Sequence, residues 1–488
     1  MLQNCLLTYR SKWAICRSRA PRYLMVIELI SLLYGHSLRT ILSSTKPLIL
    51  QTVGLLRPKM KKAVLLAAGD STRMLPLSAN QPKHLLPVAG RPLLFHTLEA
   101  LEKAGIEETL IVYGYHAEKL SESVNSQTWG KGRMSVSFVL QKERRGTAHA
   151  AGHAREFVGD DTSLLMNGDV MVGPGCFEGL IAYHESGNFE MTLSVQPIDD
   201  PSPYGVVAVK EGRAVKLIEK PKKEEMVSNL VNVGLYAVSG SLWAAIDKTP
   251  LSPRGEYEIT DSIGLLIERG NVGAYTLPSW WLDVGKPWDL LEANKQLLSQ
   301  SSKSIKGTVE KGAVIKGTCI IEAGAVIRTG AYVEGPVYIG QDAVIGPNCY
   351  IRAHTSLGKK VKIGNAVEIK NSIIMDNTNV GHLSYVGDSI IGRECNFGAG
   401  TITANLRHDN QAVESTVKGK RVSSGRRKLG AIIGDDVKTG IGTSIAPGVV
   451  MHQGSRTGIG VIVDRDVGPN QLVIAKQNQT VIDLDSSK

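Results

Sequence analysis

The chain has 488 residues, of which 42% are hydrophobic and 21% are charged. This length exceeds one ordinary domain and this composition excludes a mostly disordered chain, so two or three globular domains are expected. The formal charge of +10 is concentrated near one end: nine Lys and Arg against one Glu precede Met60, which leaves only +2 for the rest. A nearly neutral body excludes a broad nucleic-acid-binding surface, so no nucleic-acid partner is expected.

Residues 1–59 are predicted to be an N-terminal extension that is not part of the fold. Their longest apolar run, from Leu24 to Tyr34, contains Glu28 and is shorter than the roughly 20 residues that cross a bilayer, so no membrane partner is expected. The Arg- and Ser-rich composition also resembles a transit peptide. We favour a natural start at Met60, because two lysines and then an apolar strand follow it directly.

The six cysteines bear on the compartment in which the protein acts. They include no Cys-x-x-Cys pair and no short secreted framework. This usage fits a reducing cytoplasm, which is the expected location, and it argues against structural zinc.

From Lys62 to about residue 300, apolar runs alternate with Gly-rich turns and helical periods. This alternation is typical of βαβ units and predicts an α/β domain with a mostly parallel sheet over residues 60–300. Strands are predicted at Ala63–Ala67, Thr109–Tyr113, Ser135–Leu140, Ser163–Met166 and Met191–Gln196. Helices are predicted at Leu93–Ala104 and Ala148–Phe157. Ligands of such sheets bind at the loops beyond the carboxyl ends of the strands.

The loop after the first strand has features of a phosphate-binding loop. It reads Leu66-Ala67-Ala68-Gly69-Asp70-Ser71-Thr72-Arg73, and Pro82-Lys83 follows. It lacks the Gly-Lys-Ser/Thr ending of a P-loop and the third Gly of a dinucleotide fingerprint, which argues against an ATPase or a dehydrogenase. Small residues let backbone amides approach phosphates, while Arg73 and Lys83 supply the charge that triphosphate chemistry needs.

This loop resembles the signature of the sugar-1-phosphate nucleotidylyltransferases, and further motifs follow in the order found in that family. They are Met166-Asn167-Gly168-Asp169, Tyr204-Gly205-Val206-Val207, Ile218-Glu219-Lys220-Pro221, Asn232-Val233-Gly234 and Trp281-Leu282-Asp283-Val284-Gly285. The resemblance implies a Rossmann-like domain in which a sugar phosphate attacks the α-phosphorus of a nucleoside triphosphate and pyrophosphate leaves. Such a reaction depends on positioning and charge neutralisation and needs no covalent nucleophile.

The resemblance also implies a role for each matched residue. Arg73 at the β,γ-phosphates and Lys83 at the α-phosphate are the expected catalytic cations. Asp169 and Asp283 are the expected Mg²⁺ ligands, since this hard cation takes a few carboxylates and completes its shell with phosphate and water. The residues expected to bind the nucleotide are Leu66, Ala67, Ala68, Gly69, Gln141, Gly146 and Thr147. Those expected to bind the sugar phosphate in this half are Gly205, Glu219, Lys220 and Asn232.

The nucleotide base is assigned by one further resemblance. The run Gly146-Thr147-Ala148-His149, together with Gln141, resembles the uracil-recognition run of uridylyltransferases. UTP is therefore the first choice. The alternative dTTP stays open, because thymine differs from uracil by one methyl group.

Beyond residue 303 the sequence changes to a six-residue repeat. Aliphatic residues occupy eleven successive positions of this repeat: Val309, Ile315, Ile321, Ile327, Val333, Ile339, Ile345, Ile351, Leu357, Ile363 and Ile369. The period then slips and resumes at Val380. A spacing of six excludes a helix and predicts a parallel β-helix with three short faces in each coil over residues 301–488. Its left-handed sense is implied by resemblance to the hexapeptide-repeat acyltransferases.

Polar motifs interrupt the repeat. They are Val367-Glu368-Ile369-Lys370-Asn371-Ser372, Gly381-His382-Leu383-Ser384-Tyr385-Val386-Gly387-Asp388, and Asn396-Phe397-Gly398-Ala399-Gly400-Thr401 followed by Asn405. These motifs resemble the acetyltransferase domain of the bifunctional N-acetylglucosamine-1-phosphate uridylyltransferase/glucosamine-1-phosphate acetyltransferases. The continuation from Asn405 to Gly434 looks more like the archaeal members. The alternative is a glucose-1-phosphate thymidylyl- or uridylyltransferase with a non-catalytic β-helix.

This second resemblance implies that acetyl-CoA acetylates glucosamine-1-phosphate before uridylyl transfer, with the galacto epimer left open. His382 is the expected general base, since imidazole titrates near the pH at which an amine must lose a proton. The residues expected to bind this sugar phosphate are Arg352, Lys370, Tyr385, Asn396 and Asn405. Ala399 and Lys428 are expected at acetyl-CoA, and a homotrimer is expected from the family.

The stretch from Asn405 to Lys428 leaves the six-residue period and is predicted to protrude from the coil. The basic residues of interest in it are Lys418, Lys420, Arg426, Arg427 and Lys428. They either contact the phosphates of CoA or form a solvated charge run.

Overall fold

The computed structural model describes residues 60–129 and 132–482. The predicted extension, residues 1–59, lies outside the described residues. Up to residue 300 the helices and strands are β1 Lys62–Ala67, β2 Pro87–Val88, β3 Arg91–Pro92, α1 Leu93–Lys103, β4 Glu108–Tyr113, α2 Ala117–Asn125, β5 Ser135–Leu140, α3 Thr147–Gly152, α4 Arg155–Val158, β6 Ser163–Asn167, β7 Val170–Val172, α5 Cys176–Gly187, β8 Met191–Pro197, β9 Gly205–Lys210, β10 Arg213–Glu219, β11 Leu230–Val238, α6 Ser241–Ile246, α7 Ile259–Ile267, β12 Val272–Thr276, β13 Trp281–Asp283 and α8 Asp289–Ser299. Within the described ranges, no helix combines the length and the apolar character needed to cross a membrane.

Nine of these strands form one sheet in the order β5-β4-β1-β6-β11-β8-β12-β10-β9. The first four are parallel neighbours, whereas β11 runs antiparallel to both β6 and β8. The α/β fold is confirmed, but the sheet is parallel mainly in its first half. One reason is that the two-residue turn Glu211-Gly212 joins β9 to β10, and so short a turn connects only antiparallel strands.

The predicted elements agree closely with the observed ones. All five predicted strands are confirmed to within one residue at each end, and the helix Leu93–Ala104 is confirmed as α1. The predicted helix Ala148–Phe157 is wrong as a single element, because it is split into α3 and α4. Gly152 is a weak helix former, and the next amide donates to the Ala150 carbonyl three residues back, which ends α3.

From Ser304 to Val473 the chain winds into a coil with three parallel faces. Face 1 is β14 Ser304–Ile305, β17 Cys319–Ile321, β20 Val337–Ile339, β23 Thr355–Leu357, β26 Ile373–Ile374, β29 Ile390–Ile391, β34 Ile432–Ile433 and β37 Val450–Met451. Face 2 is β15 Thr308–Val309, β18 Val326–Ile327, β21 Val344–Ile345, β24 Lys362–Asn365, β27 Asn379–His382, β30 Asn396–Phe397, β35 Lys438–Thr439, β38 Arg456–Thr457 and β40 Leu472–Val473. Face 3 is β16 Val314–Lys316, β19 Tyr332–Glu334, β22 Tyr350–Ile351, β25 Glu368–Lys370, β28 Tyr385–Gly387, β31 Ile402–Thr403, β36 Ser444–Ile445 and β39 Ile462–Val463. The predicted left-handed parallel β-helix of hexapeptide repeats is confirmed.

The register of the coil explains both the repeat and its slip. Stacked partners in the early coils are 18 residues apart, as for Val326 and Val344, which is three six-residue units. The separation falls to 17 at Lys362 and Asn379, where the period slips. It rises to 42 between Asn396 and Lys438, because an antiparallel hairpin, β32 Glu414–Val417 and β33 Lys420–Ser423, is inserted there.

The aliphatic repeat positions form the interior of the coil. Those from Ile321 to Ile369 are all buried in one core cluster. Val309 is 37% exposed, because the first coil is stacked on one side only. The repeat therefore predicts the core correctly except at the open end.

The two halves are joined through α8, which packs against face 1. One apolar cluster contains Trp288 and Leu291 from the first half together with Ile373 and Ile390 from the coil. Buried Asn294 adds two hydrogen bonds across this contact: its Oδ1 accepts from the Ser356 hydroxyl at 2.6 Å, and its Nδ2 donates to the His354 carbonyl at 2.7 Å. Within the first half, its Oδ1 also accepts from the Ala89 amide at 2.8 Å. The contact between the halves therefore combines apolar packing with hydrogen bonds of defined geometry.

Replacing Asn294 by Ala should destabilise the whole chain. The substitution leaves the buried Ala89 amide and His354 carbonyl unpaired, at about 1–3 kcal/mol. We expect the urea midpoint of unfolding to fall clearly. The matched control is Gln296→Ala on the same helix, whose side chain bonds only within the helix and should shift the midpoint little. Equal shifts for the two variants would contradict this role.

Candidate functional site

A cleft of about 960 Å³ lies over the loops that follow the strands of the first half. It brings together the predicted residues Leu66, Ala68, Gly69, Arg73, Lys83, Gln141, Gly146, Thr147, Asp169, Gly205, Glu219, Lys220, Asn232 and Asp283. Ala67 does not line it, because its side chain packs in the core below the sheet. The sequence motifs, from Leu66 to Asp283, therefore converge on one site.

The loop after β1 is shaped to hold an anion. Asp70 accepts from the Thr72 amide at 3.1 Å and from the Thr72 hydroxyl at 2.9 Å, and Ser71 has a left-handed φ of 57°. The Ser71 hydroxyl accepts from the Lys83 amide at 3.1 Å, which ties the lysine to this loop. A Cβ built on Gly69 would meet no atom within 4 Å, so this backbone position faces open space in the cleft.

Two partly buried carboxylates, Asp169 and Asp283, face the cleft at the ends of neighbouring elements. The Lys83 ammonium pairs with the Asp169 carboxylate, and the Val284 amide, next to Asp283, donates to the Asp169 carbonyl at 3.0 Å. Burial tends to raise the pKa of Asp169, but the charge of Lys83 outweighs it and the pKa lies below its ordinary value. Burial and the negative charge of Asp169 together raise the pKa of Asp283 to about 6.

These carboxylates suit a divalent cation that shares its coordination with substrate. The negative charge of Asp169 disfavours ionisation of Asp283, and a cation bound between the two carboxylates would offset this repulsion. Over residues 60–129 and 132–482, no group of three or more His, Cys, Asp or Glu side chains is arranged to hold a metal. Two carboxylates with phosphate and water ligands match the coordination habit of Mg²⁺.

Polar groups line the part of the cleft near the end of β5. Gln141 is 5% exposed, and its side-chain amide lies 2.8 Å from the His149 ring nitrogen Nδ1. The Thr147 hydroxyl accepts from the Ile259 amide at 2.8 Å. Gly146 has a φ of 108°, and a Cβ there would lie 2.4 Å from the Tyr257 carbonyl oxygen, so only glycine fits.

The opposite end of the cleft has the features of a sugar pocket. Glu219 lies 3.9 Å from the Lys220 ammonium and 3.7 Å from the Arg254 guanidinium. Gly205 approaches both Glu219 and Asn232, and a Cβ at Gly205 would come within 3.0 Å of the Glu219 carboxylate. The Asn232 amide donates to the Tyr236 hydroxyl at 2.8 Å. Carboxylate and amide groups of this kind can pair with sugar hydroxyls.

Asp289 also lines this cleft, although no motif predicted a role for it. Asp289 accepts from the Gly285 amide at 3.1 Å and from the Lys286 amide at 2.7 Å, and so holds the loop after Asp283. Burial raises the pKa of Asp289 to about 6. Its position at the start of a helix, six residues after Asp283, was the sequence feature that could have predicted a place for Asp289 near this site.

In the coil, a second polar cluster surrounds Asp388, which is 4% exposed. Its carboxylate accepts from the side-chain amides of Asn371 at 2.7 Å and Asn405 at 2.6 Å, and it lies 3.4 Å from the Lys370 ammonium. Asn405 also donates to the Tyr385 hydroxyl at 3.1 Å. Asp388 lies in a motif that predicted no role for it, yet its carboxylate contacts two of the predicted site residues, Lys370 and Asn405.

Two further predicted residues belong to this corner of the coil, between faces 3 and 1. Lys428 is bridged to Leu406, and the charge of Lys370 lowers the pKa of its ammonium. Arg352 pairs with Glu368 at 2.8 Å, one coil below Tyr385. The corner therefore contains three cations, Arg352, Lys370 and Lys428, and two carboxylates, Glu368 and Asp388. This excess of positive charge suits an anion.

His382, Asn396 and Ala399 lie on a different part of the coil. His382 ends β27 on face 2, Asn396 begins β30 on the same face, and Ala399 is in the turn that follows. The exposed His382 is separated from Asp388 by the three-residue strand β28, a length of about 10 Å. The predicted acetyl-transfer residues therefore form two groups on one chain.

The basic stretch from Asn405 to Lys428 contacts several different places. Arg426 lies 3.7 Å from Glu292 on α8, and Arg427 donates to the Asn410 side chain at 2.8 Å. Lys418 lines the nucleotide cleft of the first half. This stretch is therefore neither a uniform charge run nor a single ligand-binding loop.

Comparison with known proteins gives matches to both halves. A family model described as nucleotidyl transferase matches residues 62–300, and one described as GMPPB C-terminal domain matches residues 333–455. The chain is 40% identical over 420 residues to the bifunctional protein GlmU of Methanococcus maripaludis, which covers 86% of this chain and 98% of that protein. It is 41% identical over 412 residues to the bifunctional protein GlmU of Methanocaldococcus jannaschii, covering 84% and 97%.

A relative from Sulfurisphaera tokodaii has a more descriptive name. It is a bifunctional sugar-1-phosphate nucleotidylyltransferase/acetyltransferase, 40% identical over 412 residues, which cover 83% of this chain and 98% of that protein. These matches extend over nearly the full length of all three relatives and so include both the cleft and the coil.

Replacing Asp289 by Asn should stabilise the chain in a pH-dependent way. The raised pKa means that wild-type stability is lost as the pH rises from about 4 through 6, while Asn keeps the acceptor oxygen without the buried charge. We expect the advantage of the variant in the free energy of unfolding, measured by urea titration, to be small at pH 4.5 and to grow by on the order of 2 kcal/mol by pH 7.5. The control Asp464→Asn, at an exposed carboxylate, should show no such growth. An advantage independent of pH would contradict this assignment.

Proposed function

This chain belongs to the family of bifunctional sugar-1-phosphate nucleotidylyltransferase/acetyltransferases, and we propose that it makes UDP-N-acetylglucosamine in two steps. It first acetylates glucosamine-1-phosphate with acetyl-CoA, and then transfers a uridylyl group from UTP to N-acetylglucosamine-1-phosphate with release of pyrophosphate. The observation that carries the proposal is the convergence of Arg73, Lys83, Asp169 and Asp283 in one cleft, with a separate basic corner on the same chain.

In the uridylyl step an oxygen of the sugar phosphate attacks the α-phosphorus of UTP. The new O–P bond forms as the bond from the α-phosphorus to the bridging oxygen breaks, and pyrophosphate leaves with the electron pair. Lys83, held by Asp169 and Ser71, is positioned to neutralise the α-phosphate. Arg73 takes the outer phosphates, and Lys220 takes the phosphate of the sugar. Catalysis then comes from positioning and charge neutralisation.

Mg²⁺ fits the pair Asp169 and Asp283. When bound, it supplies positive charge to the phosphates that share its coordination. The Lys83 ammonium that now pairs with Asp169 would turn to phosphate when the nucleotide enters.

The choice of nucleotide and sugar follows from the two ends of the cleft. Gln141, held by His149, offers a fixed amide to the uracil edge, and Gly146 with Thr147 shapes the backbone around the base. UTP is the proposed nucleotide, and dTTP is the competitor to test. Leu66, Ala68 and Gly69 line the nucleotide side, while Gly205, Glu219 and Asn232 line the sugar side. Ala67 can support this loop only from below.

In the acetyl step the amine of glucosamine-1-phosphate attacks the thioester carbonyl of acetyl-CoA. A C–N bond forms, the C–S bond breaks, and the CoA thiol leaves. We propose that His382 removes the proton from the amine. Lys370 and Arg352 hold the sugar phosphate, and Tyr385, Asn396 and Asn405 contact the sugar. Ala399 and Lys428 are proposed for acetyl-CoA.

The expected assembly is a homotrimer. The exposure of His382 supports it, since a neighbouring chain has access to that face of the coil. We propose residues 60–300 as the uridylyltransferase domain and residues 301–488 as the acetyltransferase domain. A cytoplasmic location is proposed because Cys176, Cys319, Cys349 and Cys395 are buried free thiols.

The function is tested by thiol release from acetyl-CoA with glucosamine-1-phosphate, galactosamine-1-phosphate and glucose-1-phosphate in parallel. We expect release with glucosamine-1-phosphate and none with glucose-1-phosphate, which lacks the amine. If a folded protein makes nucleotide-sugar but releases no thiol, the chain is a single-activity nucleotidylyltransferase with a non-catalytic coil.

His382→Ala should abolish thiol release and leave uridylyl transfer from N-acetylglucosamine-1-phosphate unchanged. Loss of a general base lowers the rate by about 10² to 10⁴. The matched control is His408→Ala, an exposed histidine in the inserted stretch. Acetyl transfer at the wild-type rate in a folded His382→Ala protein would refute the base assignment.

Asp169→Ala should lower uridylyl transfer about a hundredfold or more at saturating Mg²⁺, because it removes a cation ligand and the partner of Lys83. Thiol release should persist, since the coil is separate from this carboxylate. Asp160→Ala, at an exposed carboxylate nearby in sequence, is the control. Full uridylyl transfer by Asp169→Ala would show that the metal assignment is wrong.

A further inference from the structure

The hairpin formed by β32 and β33 belongs to the coil in sequence but reaches the other half of the protein. Its base is fixed, because Val413 and Leu429 are buried in the apolar cluster that joins the halves. Val417 and Val422 on its two strands pack against the same cluster. The direction of its tip is therefore set by the contact between α8 and face 1.

The tip carries Lys418, which lines the nucleotide cleft together with Gly69, Asp70 and Arg73. Lys418 is exposed, as are its neighbours Gly419 and Lys420, so its ammonium is open to a ligand in the cleft. Of the basic residues in the inserted stretch, Lys418 is the one that lines this cleft among the described residues. Its placement is thus specific to one side chain and does not follow from the charge of the hairpin as a whole.

The backbone at the tip is unfavourable for lysine. Lys418 and Gly419 form a two-residue loop between the paired residues Val417 and Lys420, with φ values of 51° and 75°. Loops with two positive φ values strongly prefer Asn-Gly, because other side chains are strained in the left-handed region. The turn alone therefore gives no reason for a lysine at this position.

The electrostatic surroundings of Lys418 point to an anionic ligand. Asp70 belongs to the loop after β1 and lies 3.8 Å from the Arg144 guanidinium. Burial tends to raise the pKa of Asp70, but its bonds from Thr72 and the charges of Lys418 and Arg144 lower it. Two cations, Lys418 and Arg144, thus act on one partly exposed carboxylate, and Arg73 lines the same cleft, which leaves positive charge for a ligand.

We propose that Lys418 binds the outer phosphates of the nucleoside triphosphate, and the pyrophosphate formed from them, in the cleft of the other domain. This proposal rests on the proposed uridylyl transfer. Both halves then contribute to the triphosphate site. The first half supplies Arg73 and Lys83, and the hairpin of the coil adds Lys418 as a third cation.

The test compares the full chain with Lys418→Asn, a substitution that suits the turn and removes the charge. We expect the Kd for pyrophosphate with Mg²⁺, measured by calorimetry, to rise about tenfold, as loss of one charged hydrogen bond implies. The KM for UTP should rise similarly and the KM for N-acetylglucosamine-1-phosphate should change less than twofold. The Tm should be unchanged or higher, and Lys418→Arg should retain tighter pyrophosphate binding than Lys418→Asn.

Lys360→Asn is the matched control, because Lys360 is an exposed lysine of the coil with a φ of 56°. It should bind pyrophosphate as the wild type does. Unchanged pyrophosphate binding by Lys418→Asn, or an equal loss in Lys360→Asn, would overturn the proposal, and Lys418→Gly gives the same test if the Asn variant misfolds. Failure of the wild type to make any nucleotide-sugar would instead refute the uridylyl transfer itself.

Discussion

The apolar contact between α8 and face 1 of the coil is the constraint on which the relation between the two halves depends. Outward-facing residues of a β-helix normally meet water, yet Ile373, Ile390, Ile432 and Val450 are all buried here. Each such side chain contributes roughly 1.5–3 kcal/mol when removed from water. Because apolar burial has no direction, the two hydrogen bonds of Asn294 to His354 and Ser356 fix how the two surfaces meet. The bond from the Ala89 amide holds the Asn294 side chain in place.

The same contact decides what the inserted hairpin can do. The hairpin enters the coil where the stacking register jumps, and its valines lie on the cluster that joins the halves. Glu292 on α8 lies 3.7 Å from Arg426 at the hairpin base, which adds a charged contact to the apolar ones. A hairpin held on both sides keeps its tip in one place. The backbone of Lys418 is thus held beside the cleft before any ligand enters, so little backbone freedom is lost on binding.

Local sequence patterns predicted most of the fold. They did not predict which residues of distant segments come together through tertiary contacts. The six-residue period predicted the coil, and every residue that the motifs assigned to the cleft lines it except Ala67. The paired aliphatics Ile373-Ile374, Ile390-Ile391 and Ile432-Ile433 were a readable sign that face 1 is covered, because alternate residues of an exposed strand are polar. The place of Lys418 could not be read in this way, since it depends on a contact between segments more than 100 residues apart.

The two sites share one electrostatic arrangement. In the cleft Lys83 pairs with partly buried Asp169, and in the coil Lys370 lies 3.4 Å from buried Asp388. A lysine near a phosphate site has many rotamers, and a buried carboxylate selects one of them before substrate arrives. The carboxylate also limits the net charge, so the site does not hold several unopposed cations when empty. In the proposed reactions, a phosphate dianion that enters would draw the lysine from the carboxylate, and the surrounding cations, Arg73 in the cleft and Lys428 in the coil, would supply the excess charge that favours this exchange.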